Sequence, residues 1–148
     1  MPKVDLDSIE PTNRTGYPKP FDKEVQGRWY QRIGPAYELT EFGVSKVRLE
    51  AGAWSSQRHW HDSEDEFLVM LSGEAVLVED DGRTVLRAGD CAAWPKGSTN
   101  GHHLRNESDA DCEFIVVGGG VRTAGGYSDI DMTFTDDGRY LHKDGTPY

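Results

Sequence analysis

The feature that most constrains this chain is the rhythm of its turn signals. Between Tyr37 and Val117, short runs of β-branched and apolar residues are broken by Gly, Pro, Asn or Asp about every 8–12 residues. The runs are Leu39–Leu49, Trp54–His61, Glu66–Leu71, Ala75–Val78, Thr84–Leu86, Cys91–Trp94, Gly101–Arg105 and Cys112–Val117. Ser72-Gly73, Asp80-Asp81-Gly82, Ala88-Gly89-Asp90 and Pro95-Lys96-Gly97 punctuate them as turns. None carries a 3.6-residue apolar period over helical length, and no longer repeat is present. The pattern predicts an all-β antiparallel sandwich or barrel over residues 37–118.

The flanks read differently. Residues 1–36 hold Pro2, Pro11, Pro18, Pro20 and Pro35 with little apolar periodicity, which predicts an extended arm. Tyr17, Phe21, Trp29 and Tyr30 would anchor that arm on a sheet of its own or of a neighbouring subunit. After Gly118-Gly119-Gly120, residues 119–148 are polar and turn-rich and predict a C-terminal extension with an edge hairpin. Its strands would be Met132–Thr135 and Arg139–His142, with His142 on the surface.

Charge narrows the partners. Sixteen basic residues against 26 acidic ones give a net charge of −10, spread along the chain. Such a surface repels phosphate backbones and anionic headgroups, so neither nucleic acid nor a membrane is expected as partner. No apolar run approaches the roughly 18–20 residues that span a bilayer. Met1 to Glu10 is acidic where a signal peptide needs an apolar core, so a cytoplasmic protein is expected. Cys91 and Cys112 fall in strand-like runs without metal spacing and are expected as buried free thiols.

Chemistry concentrates between Gly52 and Asn106. Strand side chains alternate faces, so His59 and His61 share one side while Arg58 and Trp60 take the other. Glu66 follows after Asp62-Ser63-Glu64-Asp65, a connection long enough to return antiparallel beside the two imidazoles. Leu68 and Met70 would continue inward from Glu66. The result is a polar cluster at the mouth of an apolar cavity, a place for a divalent ion.

Two longer patterns bring in a resemblance. Gly52, six residues, His59-Trp60-His61, four residues, Glu66, six residues and Gly73 form the first. Gly89, five residues, Pro95-Lys96-Gly97, then His102, three residues and Asn106 form the second. Together they resemble the paired motifs of the cupin family over about residues 40–118. The spacer Ser98-Thr99-Asn100-Gly101 is longer than the family's usual two residues, which leaves His103 as a rival to His102. His102 is preferred because it keeps the distance to Asn106.

The resemblance implies a double-stranded β-helix, a jelly-roll-like antiparallel barrel. It implies one divalent metal ion on His59, His61, Glu66 and His102. Manganese, iron, nickel, cobalt, copper and zinc all suit such donors. Four ligands leave open positions for a small oxygen-rich molecule, such as a sugar or sugar phosphate, in an isomerase-like reaction. A dioxygenase or lyase, or a non-catalytic ligand binder, stays open beside it. Glu64 and Asp65 are candidate proton shuttles; Gln57, Met70 and Arg105 are candidate substrate contacts, with Arg48, Trp54 and Trp94 behind them. A homodimer joined through sheet faces and arms is expected, in line with the family's habit.

Overall fold

The structure, a computed structural model, describes residues 3–119 and 124–148. Met1, Pro2 and residues 120–123 lie outside it, and with them the third glycine of the expected boundary. Among the described residues twelve strands follow one another: β1 Arg28–Arg32, β2 Phe42–Leu49, β3 His59–His61, β4 Asp65–Ser72, β5 Glu74–Glu79 and β6 Gly82–Arg87, then β7 Cys91–Trp94, β8 His103–Arg105, β9 Cys112–Gly119, β10 Gly125–Tyr127, β11 Thr133–Phe134 and β12 Tyr140–Leu141. One helical turn, Ile33–Ala36, links β1 to β2. No helix among the described residues is long and apolar enough to cross a membrane.

Two antiparallel layers result. One is the sheet β1-β2-β9-β4-β7. The other joins β6-β5-β8 to β12-β11-β10-β3 through the isolated bridges Trp54↔Arg105 and His59↔His102. Period-two alternation fills the space between them. On β4, Leu68 and Met70 are 2% and 1% exposed, whereas Phe67 and Leu71 on the other face are 42% and 45% exposed. Val47 and Leu49 of β2, Leu77 of β5, Leu104 of β8, and Cys112 and Phe114 of β9 complete this core.

The arm is less separate than its prolines suggest. Arg28–Arg32 pairs along β2 from Leu49 to Ser45, so the last part of the arm is a strand of the barrel wall. The preceding chain lies on its own subunit. Thr12 bridges Tyr30, and Gln31 Nε2 donates to the carbonyls of Leu6 and Ile9 at 2.7 and 2.9 Å. Phe21 packs edge-on against Tyr148. The C-terminal extension does form a hairpin, β11–β12, with β12 at the edge of its sheet.

The cysteines divide. Both are free, but only Cys112 is buried. Cys91 is exposed because Trp94 and Ala92 of β7 turn into the core, and alternation then sends Cys91 outward.

Candidate metal centre

β3 brings His59 and His61 to the inner face, as alternation requires. Gly125 and Gly126 of β10 pair with His61 and Trp60. A Cβ on Gly125 would collide with the Trp60 carbonyl and the Phe134 ring, so glycine lets Phe134 of β11 close over the cluster. Its ring centroid lies 5.5 Å from that of His61.

The donor atoms converge. His59 Nε2 stands 3.1 Å from His61 Nε2, and Glu66 Oε2 lies 3.5 Å from His61 Nε2 and 3.0 Å from His102 Nε2. His59, His61 and Glu66 each offer an atom within 4.8 Å of the others, and His102 joins through Glu66. An ion held by such donors at about 2.0–2.1 Å would set neighbouring donors about 3 Å apart. The observed spacings fit a divalent ion.

Each imidazole is oriented from behind. His59 Nδ1 lies 3.1 Å from both the Gln57 carbonyl and Ser56 Oγ, so a proton there leaves Nε2 free to donate its lone pair. Glu64 Oε2 stands 3.4 Å from His61 Nδ1, within ion-pair reach though not in hydrogen-bond alignment. A Cβ on Gly118 would occupy the position of the Glu64 carboxylate, so the bare backbone of β9 is what admits it. His102 is held by flat stacking on Trp94, with centroids 3.9 Å apart and planes 8° apart. The Trp94 indole is itself fixed by donating to Glu79 Oε1 at 2.8 Å.

Burial and charge split the titrations. Burial pushes the His59 imidazole down to about 3, so it stays neutral. Burial also resists charging of His61, but the Glu66 hydrogen bond and the charges of Glu66, Glu64 and Asp62 outweigh it and raise its pKa. Glu66 is held well below the carboxylate range: burial opposes ionisation, and hydrogen bonds from His102 and His61 overcome it.

His102 and His103 part as alternation demands. His103 points away from Glu66; it is 1% exposed, and its Nδ1 faces the Ser56 carbonyl at 2.9 Å. Its Nε2 accepts from Arg105 Nε at 3.0 Å, and Arg105 covers the Trp54 ring. Arg105 therefore sits outside the cavity, on the face opposite His102, not where a substrate contact was expected. Arg48 also lies elsewhere, paired with Asp111 at 2.6 Å.

Four other expected positions lie outside the cavity lining. The backbone from Ser55 to Arg58 is bent, which breaks parity with His59. Gln57 turns away to donate to the Phe21 carbonyl at 3.1 Å and contributes to the site only through its own carbonyl. Met70 lies in the core, beyond the cavity lining. Asp65 accepts the Lys96 backbone N–H at 2.8 Å and, like Glu64, lies outside the lining.

The cavity measures about 390 Å3 and contains the whole cluster, with Trp94 and Leu68 in its wall. Much of the rest comes from residues that sequence reasoning did not assign. Tyr17, Arg28, Tyr30 and Arg32 enter from the N-terminal side, and Tyr127, Phe134 and Tyr140 from the C-terminal side. Tyr17 packs against Tyr127 and Tyr140, with ring centroids 5.7 and 5.5 Å away. Burial raises the Tyr17 hydroxyl to about 12 and pushes Tyr127 up as well, so both remain phenols at neutral pH.

Comparison with known proteins agrees with this architecture. The cupin domain family matches residues 45–118, half of the chain. A crystal structure described as a sugar phosphate isomerase from a cupin superfamily, from Silicibacter pomeroyi, is 44% identical with a TM-score of 0.93; the match covers 99% of this chain and 96% of that one. A protein of Acidithiobacillus ferrooxidans proposed to be a sugar phosphate isomerase shares the fold at 22% identity and TM-score 0.70, over 76% of this chain and 73% of that one. The polyketide cyclase RemF from Streptomyces resistomycificus shares it at 19% identity and TM-score 0.63, over 80% and 79%. No curated protein matches by sequence. In sequence motif and in fold alike, the chain belongs to the cupin superfamily.

Proposed function

We propose that this cupin binds one divalent metal through His59, His61, Glu66 and His102 and acts on a small phosphorylated sugar as an isomerase. The observation that carries it is the convergence of imidazole and carboxylate donors in a cavity whose whole chain aligns with the Silicibacter pomeroyi protein. A bound ion would supply Lewis-acid polarisation of a substrate carbonyl or hydroxyl. The chain's own groups do the rest. Phe134 packs against the His59 and His61 rings and would limit the access of water to the cluster. Tyr17, held as a phenol, donates a hydrogen bond to a substrate oxygen instead of removing a proton, while Tyr127 hydrogen-bonds Tyr17 and Tyr140 behind it. Glu64, 3.4 Å behind His61 Nδ1, acts as a charge partner of that imidazole and not as a shuttle facing the substrate.

One observation favours the binder reading. Among the described residues, Glu66 is the only carboxylate in the cavity lining, and a metal-bound Glu66 leaves no carboxylate base there. Elemental analysis of untagged protein, reconstitution with each ion, and proton NMR of a panel of aldose and ketose phosphates decide between the two. Interconversion supports the isomerase; metal-dependent thermal stabilisation by a sugar phosphate without turnover supports the binder.

We also propose a homodimer through the outer face of the five-stranded sheet. Phe42, Phe67 and Leu71 are exposed there, beside Val69 and Val117. The arm's aromatics already have partners in their own subunit, so arm exchange is not needed. Light scattering of the full chain tests it, and a Phe67→Glu variant should be monomeric.

A further inference from the structure

The strand β1 reads Arg-Trp-Tyr-Gln-Arg, and alternation puts Arg28, Tyr30 and Arg32 on one face. Their partners across the ladder are Leu49, Val47 and Ser45. Leu49 and Val47 are core residues, and Val47 and Ser45 line the cavity, so the arginine face is the inward one. Both guanidinium groups lie over the Tyr30 ring, Arg28 at 5.3 Å and Arg32 at 4.7 Å from its centroid.

Arg28 stands in the cavity wall and Arg32 at its exposed rim, two cations facing one space. Arg48, Arg58, Arg83, Arg87 and Arg139 each have a carboxylate partner. Among the described residues, no carboxylate pairs with Arg28 or Arg32, although the chain carries 26 acidic residues. Arg28 Nη1 donates to the Ser55 carbonyl at 2.6 Å, which fixes the guanidinium, while its Nε is buried without a partner. An oriented cation with an unused buried donor, next to a second cation in the same cavity, is a prepared anion site.

We propose that Arg28 and Arg32, flanking Tyr30, bind the phosphate group of the substrate while its sugar end reaches the His59–His61–Glu66 cluster. This rests on the sugar-phosphate reading above and adds the residues that recognise the phosphate. The cavity volume of about 390 Å3 lies at the small end of ligand pockets, which run to roughly 300–1,000 Å3 and suit one compact molecule bridging two anchors. A forked guanidinium pair favours a phosphate dianion over a neutral sugar hydroxyl.

The test is calorimetric titration of full-length protein with inorganic phosphate, both metal-loaded and after chelation. Wild type should take one phosphate per chain in both forms. Arg32→Gln should weaken phosphate by about tenfold or more, as expected for losing a charge-assisted contact. Arg32 is exposed, and among the described residues its side chain has no hydrogen-bond partner, so this variant should fold, with unchanged circular dichroism and metal content. Arg87→Gln removes the same charge from an exposed surface pair and should leave phosphate affinity intact. Equal weakening by both variants, or binding that requires metal and ignores Arg32, overturns the site. If wild type turns over no sugar phosphate yet Arg32→Gln still loses phosphate, the isomerase reading falls and the anion site stands. If wild type isomerises and Arg32→Gln binds phosphate normally, the reverse holds.

Discussion

His103 gives the sharpest prediction about stability, because both of its ring nitrogens are engaged in the neutral form. Nδ1 donates to the Ser56 carbonyl at 2.9 Å, and Nε2 accepts from Arg105 at 3.0 Å. A second proton would enter at Nε2, place a donor against a donor and bury a charge beside a guanidinium. Burial, aided by Arg105, holds the folded pKa down at about 4, against the usual 6.5. The sign follows from linkage. Between those values the unfolded chain binds a proton that the folded chain refuses, so stability falls as pH drops from 6.5 towards 4 and then levels off. Between about pH 7 and 4.5 this single residue should cost roughly 2–3 kcal/mol. Urea melts of chelated wild type and His103→Gln at both pH values test it. The variant should start less stable but lose less on acidification by that amount. Since His59 and Glu66 titrate in both proteins, the difference of differences isolates His103. Equal pH losses in the two proteins would refute the assignment.

Other changes should act through the metal or the core. His59→Ala or His61→Ala should abolish stoichiometric metal by elemental analysis while the circular dichroism of the barrel persists, and His102→Ala should lower metal content where His103→Gln does not. Glu64→Gln should weaken metal by about 10–100-fold in a competition titration, because it removes the carboxylate behind His61. Metal affinity should decline as pH falls through the raised pKa of His61, by up to about tenfold per pH unit for one displaced proton; a flat response from about pH 7 to 5 contradicts histidine ligation. Leu68→Ala, at a site 2% exposed, should cost about 2–5 kcal/mol in urea unfolding.

What could be seen in the sequence was whatever obeyed a local rule. The His59–His61 pair and Glu66 follow from period two and one short connection, and His102 from its three-residue distance to Asn106; the structure adds the bridge that sets His102 beside His59. Parity also explains the misses. Arg105 and Cys91 stand an odd number of residues from the inward-facing His102 and Trp94, so they face out. Gln57 breaks the rule because the chain from Ser55 to Arg58 is bent and not a strand. β1 escaped because its inner face carries Arg28 and Arg32 where an ordinary barrel strand carries apolar residues, and a cationic inner face reads as a polar arm. β10 escaped because Gly125-Gly126 are poor strand formers; Trp60 and Phe134 leave room at those two positions for nothing larger than glycine.

The origin of the cavity wall separates two tasks. Every proposed metal ligand lies within residues 45–118, the stretch matched to the cupin domain family. Tyr17, Arg28, Tyr30 and Arg32 come from before that stretch, and Tyr127, Phe134 and Tyr140 from after it. The stretch matched to the family therefore carries the proposed ion site, while the fold around it is shared with a polyketide cyclase. The flanking segments line the rest of the cavity with Arg28, Arg32, the phenols and Phe134, which on the proposed reading select what sits beside the ion. Those flanks meet through the Tyr17, Tyr127 and Tyr140 rings, so a change at either end of the chain reaches the same wall. Substitutions in the barrel motif should thus alter metal content, whereas substitutions in the flanks should alter which small molecule binds at constant metal.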